Sequence, residues 1–319
     1  HPVRSGVLAQ VSQGRTNGAP QGSLLIFSGR EGSGAGSTSP KTLARQEHWE
    51  SVASLGPWVA ADKFCEPAPG RWWRSAAANP AASVVFCGEC SSSLDVAWDL
   101  LGSRCLLPFD SVLAASQRAG RGQLRRHWVS PAGNVHAAWL WPRLERPLDS
   151  LASLLAGLVL VKAFQAMGLR LRLKWPNDLL LNDRKVGGIL IEERRGRLLV
   201  GVGLNLHHAP PGELLRHGHA HPAGLLQGPG IPSTPPELWL KLVEEGLPWY
   251  EICSTFRNPG LLIREIERNM AFIGQQVRVT GQQFPDCTAT VLGLSREGWL
   301  RCDVGGKERL VRNGSIAPT

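Results

Sequence analysis

Residues 169–206 read LRLRLKWPNDLLLNDRKVGGILIEERRGRLLVGVGLNL, in which apolar runs are separated by Pro, Asn, Asp and Gly. Short apolar runs broken by these turn formers are typical of strands joined by tight turns. The preceding stretch, Leu151–Met167, is apolar on nearly every side and ends before Gly168, which predicts a buried helix with a glycine cap. The sequence thus predicts an α+β fold in which helices back an antiparallel or mixed sheet. Its strands are expected at Leu169–Trp175, Leu179–Leu181, Val186–Glu192 and Leu198–Leu206.

The chain divides into three predicted parts. Residues 1–80 are punctuated by Gly, Ser and Pro and are read as an N-terminal extension that shows no helix-turn-helix pattern. Residues 81–270 hold the predicted sheet and its helices, and form the expected catalytic domain. Residues 271–319 alternate short strands with Gly-rich turns, which is typical of a small β-barrel. Further expected elements are an apolar run at Leu24–Phe27, a strand at Val84–Phe86, a surface loop over 207–236, and helices at Pro40–Ser54, Val96–Leu101, Glu237–Glu245 and Asn258–Met270.

Bulk composition points to a soluble cytoplasmic protein. The 319 residues are 43% hydrophobic and 19% charged, and no apolar run approaches the roughly 20 residues that cross a bilayer. Seven scattered cysteines do not make a disulfide framework and fit a reducing compartment. Cys87 and Cys90 form a CxxC without a second pair, so ordinary thiols are favoured over a redox or zinc site. The net charge of +9 decides little by itself.

The segment Gln117–Trp128 reads QRAGRGQLRRHW. Its glycines let backbone N–H groups approach a ligand closely, and its arginines can neutralise a phosphate or a carboxylate. The same residues would also suit a flexible basic surface loop.

A second segment runs from Lys174 to Ile189. Pro176 ends a strand, and Asp178 is left at the strand end, where a carboxylate can hold Mg²⁺ on a nucleotide. Gly187 and Gly188 remove side chains from an apolar strand beside Lys185. An ordinary hairpin with solvated charges remains an alternative.

A third segment, Gly201–Asn205, places glycines in a strand and an amide at its end. An Asn side chain can pair with an adenine edge through its donor and its acceptor. A bulged core strand with a capping Asn would explain the pattern equally well.

Together, and in this order, these segments resemble the biotin–protein ligase family. Its Q-x-A-G-R-G motif falls on Gln117–Gly122, and its K-W-P-N-D motif falls on Lys174–Asp178. Its K-x-x-G-I-L motif falls on Lys185–Leu190, and its G-x-G-x-N motif falls on Gly201–Asn205. The resemblance covers residues from about 84 onward and implies a class II synthetase-like catalytic domain followed by an SH3-like β-barrel. Two departures affect the ligand loops: Leu94 replaces the Asn of the family's S-T-N segment, and Gln123-Leu124-Arg125 replaces R-R-G.

The resemblance also implies residue roles. Arg121 and Lys185 would be catalytic, holding the biotin carboxylate and the α-phosphate, and Asp178 would support Mg²⁺. The expected biotin-binding residues are Ser92, Ser93, Gln117, Gly120, Arg121, Gly122, Lys185 and Gly188. The expected residues for ATP and the adenylate are Gln123, Arg125, Arg126, Trp128, Lys174, Asn177 and Asn205.

The function implied is that of a biotin–[acetyl-CoA-carboxylase] ligase. Such an enzyme uses Mg²⁺-ATP to make biotinoyl-5′-AMP and transfers biotin to a lysine of a biotin carboxyl carrier protein. A lipoate ligase or octanoyltransferase of the same fold is one alternative, and a biotin-responsive regulatory binding protein is another. DNA and membranes are not expected as partners, a homodimer is left open, and the histidines of 217–221 are read as a solvated turn.

Overall fold

A computed structural model describes residues 22–29, 34–62, 64–65, 68, 70–123, 126–211, 222–256, 258–281 and 284–319. Its main layer is a ten-stranded mixed sheet with the strand order β2-β3-β1-β4-β5-β6-β10-β9-β8-β7. Only β1–β4 and β4–β5 pair in parallel among these neighbours. The strands are β1 (Leu24–Gly29), β2 (Trp58–Ala60), β3 (Gly70–Ser75), β4 (Val84–Cys90), β5 (Ser111–Gln117), β6 (Val135–Trp141), β7 (Arg172–Lys174), β8 (Asp178–Leu181), β9 (Arg184–Arg194) and β10 (Arg197–Leu204).

Helices cover both faces of this sheet, which confirms the expected α+β class. The apolar stretch forms α4 (Ala152–Ala166), which packs against α5 (Pro235–Ser254) and α6 (Pro259–Arg268). On the opposite side lies α3 (Ser93–Gly102), against β5, β6 and β10. The central strand β6 reads VHAAWLW and is buried along its whole length because both of its faces are covered. Two short helices, α1 (Pro40–Leu43) and α2 (Ser51–Ser54), precede β2.

The described part of residues 22–75 belongs to the main sheet. Strand β1 pairs with β3 on one side and with β4 on the other, so it lies inside the sheet rather than on an extension. The apolar run Leu24–Phe27 was expected, but β2 and β3 were not. We propose that residues before position 80 do not form an independent domain, because β1 pairs with β4, which follows that position.

The last part of the chain forms a separate five-stranded sheet, in the order β14-β13-β12-β11-β15. Each pairing in it is antiparallel, and its short strands lie where the alternating pattern predicted a small β-barrel. Its strands are β11 (Gln276–Gly281), β12 (Phe284–Leu294), β13 (Leu300–Val304), β14 (Lys307–Val311) and β15 (Ser315–Pro318). We propose that this sheet begins a second domain near Ala271.

The C-terminal sheet contacts the main sheet through a buried tryptophan. Trp175, which is 2% exposed, donates a hydrogen bond of 3.0 Å from Nε1 to the carbonyl of Gly298. Leu173 pairs by its backbone with Asn269 and Ala271 on either side of Met270. Gly298 has a φ of 80°, and a Cβ there would lie 2.7 Å from Leu151. The KWPND strand and the second sheet are therefore packed into one core.

One described helical stretch, Asp149–Ala166, is long and apolar enough to pass a membrane-span test by composition. Two thirds of that stretch, 67%, is buried inside the protein, as the core helix of a packed sheet requires.

The cysteines depart from expectation at one pair. Cys65 and Cys105 form a disulfide with a Cα–Cα distance of 5.7 Å, so the expectation of free thiols is wrong for these two. Cys87 and Cys90 are free and buried. Hydrogen bonding with Cys90, together with burial, raises the pKa of Cys87 well above its ordinary value. A thiol held in its protonated form is a poor nucleophile and metal ligand, which agrees with the interpretation of the CxxC as ordinary thiols.

Candidate active site

A cavity of about 730 Å³ opens over the ends of β9 and β10. This is the size of a site for a drug-sized ligand. The expected site residues that the structure describes all line it, except Gly120. They are Ser92, Ser93, Gln117, Arg121, Gly122, Gln123, Arg126, Trp128, Lys174, Asn177, Asp178, Lys185, Gly188 and Asn205. Arg125 lies outside the described residues.

The indole ring of Trp128 forms the floor of the cavity and packs against two glycines. Gly188 of β9 pairs with Gly203 of β10, and a Cβ at Gly203 would lie 2.5 Å from the Trp128 ring. At Gly188 the corresponding distance is 3.3 Å. Two glycines are thus needed for the indole to approach the backbone, and the result is a flat apolar surface. The ammonium of Lys185 lies 5.5 Å from the centre of the same ring.

Gly120 supports the loop from beneath. A Cβ there would lie 2.4 Å from both the Ser130 hydroxyl and the Trp128 carbonyl. Trp128 donates its backbone N–H to the Gly120 carbonyl at 2.9 Å, and Arg121 forms an antiparallel bridge with His127. The described residues on the two sides of this segment, 120–122 and 126–128, are therefore joined by backbone hydrogen bonds.

Arg121 points into the cavity between two carboxylates. Its guanidinium lies 2.8 Å from Asp95 and 3.1 Å from Glu192. Burial acts to lower the pKa of Arg121, but the hydrogen bonds and charges of these carboxylates outweigh it and raise the pKa. Asp95 and Glu192 were not expected as site residues. Asp95 occupies the first turn after the Ser-rich cap, and that position could have indicated it.

Three charged residues form a buried ion cluster at the other end of the cavity. Asp178 lies 2.8 Å from Lys174 and 2.6 Å from Lys185, using one carboxylate oxygen for each. Lys174 pairs with Asp178 across β7 and β8, and the turn into β9 brings Lys185 to the same carboxylate. Burial acts to raise the pKa of Asp178, but the ammonium groups of Lys185 and Lys174 outweigh it and hold the pKa below its ordinary value.

This arrangement does not fit the expected role of Asp178 as a Mg²⁺ ligand. Both of its oxygens already face an ammonium at hydrogen-bonding distance, and a hard cation would have to displace a lysine from one of them. From these contacts we propose that Asp178 positions Lys185 instead. The sequence could not distinguish these roles, because it does not give the distance between Asp178 and the two lysines.

The polar end of the cavity lies at the start of α3. The hydroxyl of Ser92 caps this helix by accepting the N–H of Leu94 at 3.2 Å. Gln117 accepts the N–H of Ser93 at 2.7 Å and donates to the hydroxyl of Ser130 at 2.8 Å. The amide of Gln117 therefore joins β5, α3 and the loop before β6. Leu94, the departure from the family motif, packs under Gly201, where a Cβ would lie 3.0 Å from its side chain.

The side-chain amides of two residues that were expected to bind the nucleotide donate hydrogen bonds to backbone carbonyls. Asn177 donates to the carbonyl of Ile189 at 2.6 Å. Asn205 donates to the carbonyls of Lys185 and Gly224 at 3.3 and 3.2 Å. These bonds hold β9 and the segment from Pro222 in place around the cavity, so the alternative of a capping Asn describes the contacts of Asn205.

The C-terminal sheet also contributes to the cavity, which the sequence did not predict. Its lining includes residues of β11, of β12 and of the turn before β15, namely Thr280, Gly281, Asp286, Asn313, Gly314 and Ser315. Gly314 has a φ of 156°, and a Cβ there would lie 2.2 Å from the Thr280 carbonyl.

Comparison with known proteins finds similarity over the part of the chain that lines the cavity. The model of the biotin/lipoate A/B protein ligase family matches residues 89–208. A biotin–[acetyl-CoA-carboxylase] ligase of Paracoccus denitrificans is 38% identical over 144 residues, 41% of this chain and 58% of that protein. One from Mycobacterium tuberculosis is 29% identical over 224 residues, 64% of this chain and 77% of that protein. Residues 89–208 of this chain are therefore similar to the biotin/lipoate A/B protein ligase family.

Other relatives match over shorter stretches. The bifunctional ligase/repressor BirA of Escherichia coli is 36% identical over 105 residues, 30% of this chain and 33% of that protein. The chain spans 33% to 58% of the length of the first curated relatives that it matches.

Solved structures of biotin protein ligases share the fold. The enzyme from Aquifex aeolicus in complex with biotin and ATP aligns with a TM-score of 0.59 at 23% identity, over 73% of this chain and 97% of that chain. The enzyme from Leishmania major in complex with biotinyl-5-AMP aligns with a TM-score of 0.50 at 24% identity, over 74% and 98%. These likenesses confirm the fold.

Proposed function

We propose that this protein is a biotin–[acetyl-CoA-carboxylase] ligase that makes biotinoyl-5′-AMP from biotin and ATP. The observation that carries the proposal is the convergence of Arg121 and Lys185 on one cavity that is floored by Trp128. A ligand with an apolar body and an anionic end suits this combination. The solved structures with biotin, ATP and biotinyl-5-AMP belong to relatives of the same fold and support the choice of substrates.

Polar and apolar parts of biotin match different parts of the cavity. We assign the ureido ring to the end formed by Ser92, Ser93 and Gln117, whose hydroxyl and amide groups line the cavity at the start of α3. The apolar ring and chain would lie on Trp128 above Gly188 and Gly203. The carboxylate would then lie near Lys185, whose ammonium is adjacent to the same indole.

The first chemical step joins two anions. A carboxylate oxygen of biotin attacks the α-phosphorus of ATP, the bond to the β-phosphate oxygen breaks, and pyrophosphate leaves with the electron pair. Arg121 and Lys185 would neutralise the approaching carboxylate and phosphate while the cavity holds them in line. Asp178 keeps the Lys185 ammonium at a fixed place, 2.6 Å from its own carboxylate. Mg²⁺ would reach the site with ATP, as part of that substrate.

The second step transfers biotin. A neutral lysine amine of the acceptor attacks the carbonyl carbon of the mixed anhydride, the bond to the phosphate oxygen breaks, and AMP leaves while the amine loses a proton. The amide that forms carries biotin on the acceptor. The resemblance and the relatives' names support a biotin carboxyl carrier protein as that acceptor. We also propose a cytoplasmic location, with the Cys65–Cys105 disulfide as the described feature that does not favour it.

The test is biotin-dependent exchange of pyrophosphate into ATP by the purified full chain. Biotin should support exchange, and lipoate and octanoate should support little. Faster exchange with lipoate or octanoate would assign the site to the other substrates of the matched ligase family. Transfer is then measured by mass spectrometry of a carboxyl carrier domain and of the same domain with its acceptor lysine replaced by arginine. Biotin on the arginine variant would contradict the proposed transfer step.

A regulatory role is tested in the same preparation. We propose that DNA is not a partner of this protein. Absence of exchange, combined with retention of biotin or biotinoyl-AMP added from outside, would instead favour a binding protein.

A further inference from the structure

A second cluster of ligand-type side chains lies where the segment before α2 meets the end of β10. Glu47, His48 and His208 each offer one ligand atom, and these atoms all lie within 4.8 Å of one another. Nε2 of His48 is 3.6 Å from one oxygen of Glu47, and Nε2 of His208 is 3.8 Å from the other. Within the described chain, none of the three lines the cavity of the candidate active site. The cluster is therefore a separate feature that the proposed ligase activity does not use.

The backbone that carries His208 is fixed by a buried amide. Asn134, which is 2% exposed, accepts the N–H groups of Leu206, His207 and His208 at 3.0 Å each. It also donates to the carbonyl of His208 at 2.7 Å. Four hydrogen bonds from one side chain hold this turn in place. Ligands that are held in position before a metal arrives lose less conformational entropy when it binds.

The two imidazoles approach each other over a glycine. A Cβ at Gly133 would lie 2.8 Å from Cδ2 of His48 and 3.3 Å from Nε2 of His208, and Gly133 has a φ of 85°. His207 stacks on His48 with ring centres 3.5 Å apart and an angle of 6° between the planes. Nε2 of His207 lies 2.6 Å from the carbonyl of Ser233. The His48 ring is thus confined by the glycine and by a second imidazole that is itself anchored.

One nitrogen of the cluster lacks a hydrogen bond. Nε2 of His208 is buried at the atom level and has no hydrogen-bond partner in the part of the chain that is described. Its distance of 3.8 Å from Glu47 is too long for a hydrogen bond. A buried polar atom without a partner is costly, and in proteins it commonly marks a bound ion or water. The lone pair of a neutral imidazole nitrogen is what a transition metal takes.

We propose that Glu47, His48 and His208 bind a divalent transition metal ion of the zinc type. A tetrahedral ion with ligand bonds of about 2.0–2.2 Å places its ligand atoms roughly 3.3–3.5 Å apart. The distances of 3.6 and 3.8 Å involve different oxygens of Glu47, and the ligand atoms lie within 4.8 Å of one another, so the three side chains must draw closer together when the ion binds. Two imidazoles and one carboxylate suit zinc, whereas Mg²⁺ and Ca²⁺ take oxygen ligands. Three protein ligands leave a fourth position for water.

The ion would connect two distant parts of the chain. Glu47 and His48 lie between α1 and α2, and His208 follows the strand that ends beside Asn205. A metal that binds only the folded form stabilises it in proportion to the logarithm of its concentration over the dissociation constant. The expected effect of the ion is therefore on the stability with which residues 40–54 are held against the main sheet.

The experiment titrates metal-free, full-length protein with Zn²⁺ by calorimetry and with Co²⁺ by visible absorption. We expect one ion per chain, a Co²⁺ spectrum of a low-coordinate site, and a higher melting temperature with Zn²⁺. Glu47→Gln and His208→Ala should each weaken Zn²⁺ affinity by about tenfold or more. Both variants should keep the metal-free melting temperature of the wild type, which shows that they fold.

A matched control replaces His217, His219 and His221 together by alanine, since these histidines are the other closely spaced group in the sequence. This control should retain wild-type affinity. The proposal is overturned if the control loses the ion while His208→Ala retains it, or if excess Mg²⁺ displaces Zn²⁺ from the wild type. Unchanged affinity in both Glu47→Gln and His208→Ala would overturn it as well.

Discussion

Asp178→Asn tests the ion cluster of the candidate active site directly. The substitution keeps the size of the side chain and one acceptor oxygen but removes the negative charge between Lys174 and Lys185. Lys174 is 3% exposed at its side chain and would be left as a buried cation without a counter-ion, whereas Lys185, at 29%, can turn toward water. Removing one partner of a buried pair costs about 3–5 kcal/mol. Since one lysine is partly solvated, we expect a loss of about 3 kcal/mol, near the lower limit of that range.

The loss is measured by urea unfolding followed by tryptophan fluorescence. The matched control is Asp183→Asn, because Asp183 also pairs with a cation, Arg172 at 2.7 Å, but is 66% exposed. An exposed pair contributes less than about 1 kcal/mol. If Asp178→Asn unfolds at no lower urea concentration than Asp183→Asn, the buried cluster does not stabilise the fold.

The dependence of folding stability on acid pH gives a second test of the role of Asp178. The pKa of Asp178 is held below its ordinary value in the folded protein, so the unfolded chain binds the proton first as the pH falls. The stability from Asp178 is therefore fully present above about pH 4 and is lost as the pH falls through the lowered pKa. The difference between wild type and Asp178→Asn should shrink below that pH. A constant difference down to the lowest pH of folded protein would contradict the assigned pKa direction.

Three further predictions concern other sites. Burial lowers the pKa of His136 to about 4, so wild-type stability should fall by about 3 kcal/mol between pH 6.5 and 4, while His136→Gln should lack this slope in urea unfolding. Arg121→Ala and Lys185→Ala should each slow biotin-dependent pyrophosphate exchange by a factor of about 10²–10³. The control Lys241→Ala, at an exposed position, should leave the rate unchanged. Equal rates in all three variants would refute the assigned roles. Gly203→Ala should weaken biotin binding in calorimetry, because its Cβ would lie 2.5 Å from the indole ring, and unchanged affinity would exclude this surface from the biotin site.

Those parts of the fold that depend on local pattern were predictable. The four strands of 169–206 and the helix before them follow from apolar runs and turn residues within a few positions, and the structure places elements at each. The runs that form β1 and β4 were both recognised, but their pairing was not, because Leu24 pairs with Val84 sixty positions away. The Cys65–Cys105 disulfide joins residues separated by 40 positions, and no local pattern indicates such a pairing.

The site was predictable as a set of residues and less so as a set of contacts. Motif spacing brought Lys174, Asp178 and Lys185 together correctly, since the turn at 182–183 fixes the register of β8 and β9. Which atoms meet depends on distances of a few tenths of an ångström, and the sequence did not indicate that both oxygens of Asp178 face a lysine. The carboxylates on Arg121 belong to a helix and to a distant strand, Asp95 and Glu192, so the loop motif alone could not reveal them.

The hydrogen bond from Trp175 to Gly298 bears on how the protein can be engineered. The indole of Trp175 is buried in this contact, and Gly298 has no room for a side chain beside Leu151. The two parts of the protein are therefore closely packed at this point. A chimera that exchanged residues 271–319 for those of a relative would have to supply a matching carbonyl and an equally bare backbone at this point. Without them, the strand that carries Lys174 would lose its support, although every residue of the catalytic motifs was retained. The second sheet is therefore not an interchangeable module, and truncation before residue 271 should damage the cavity itself.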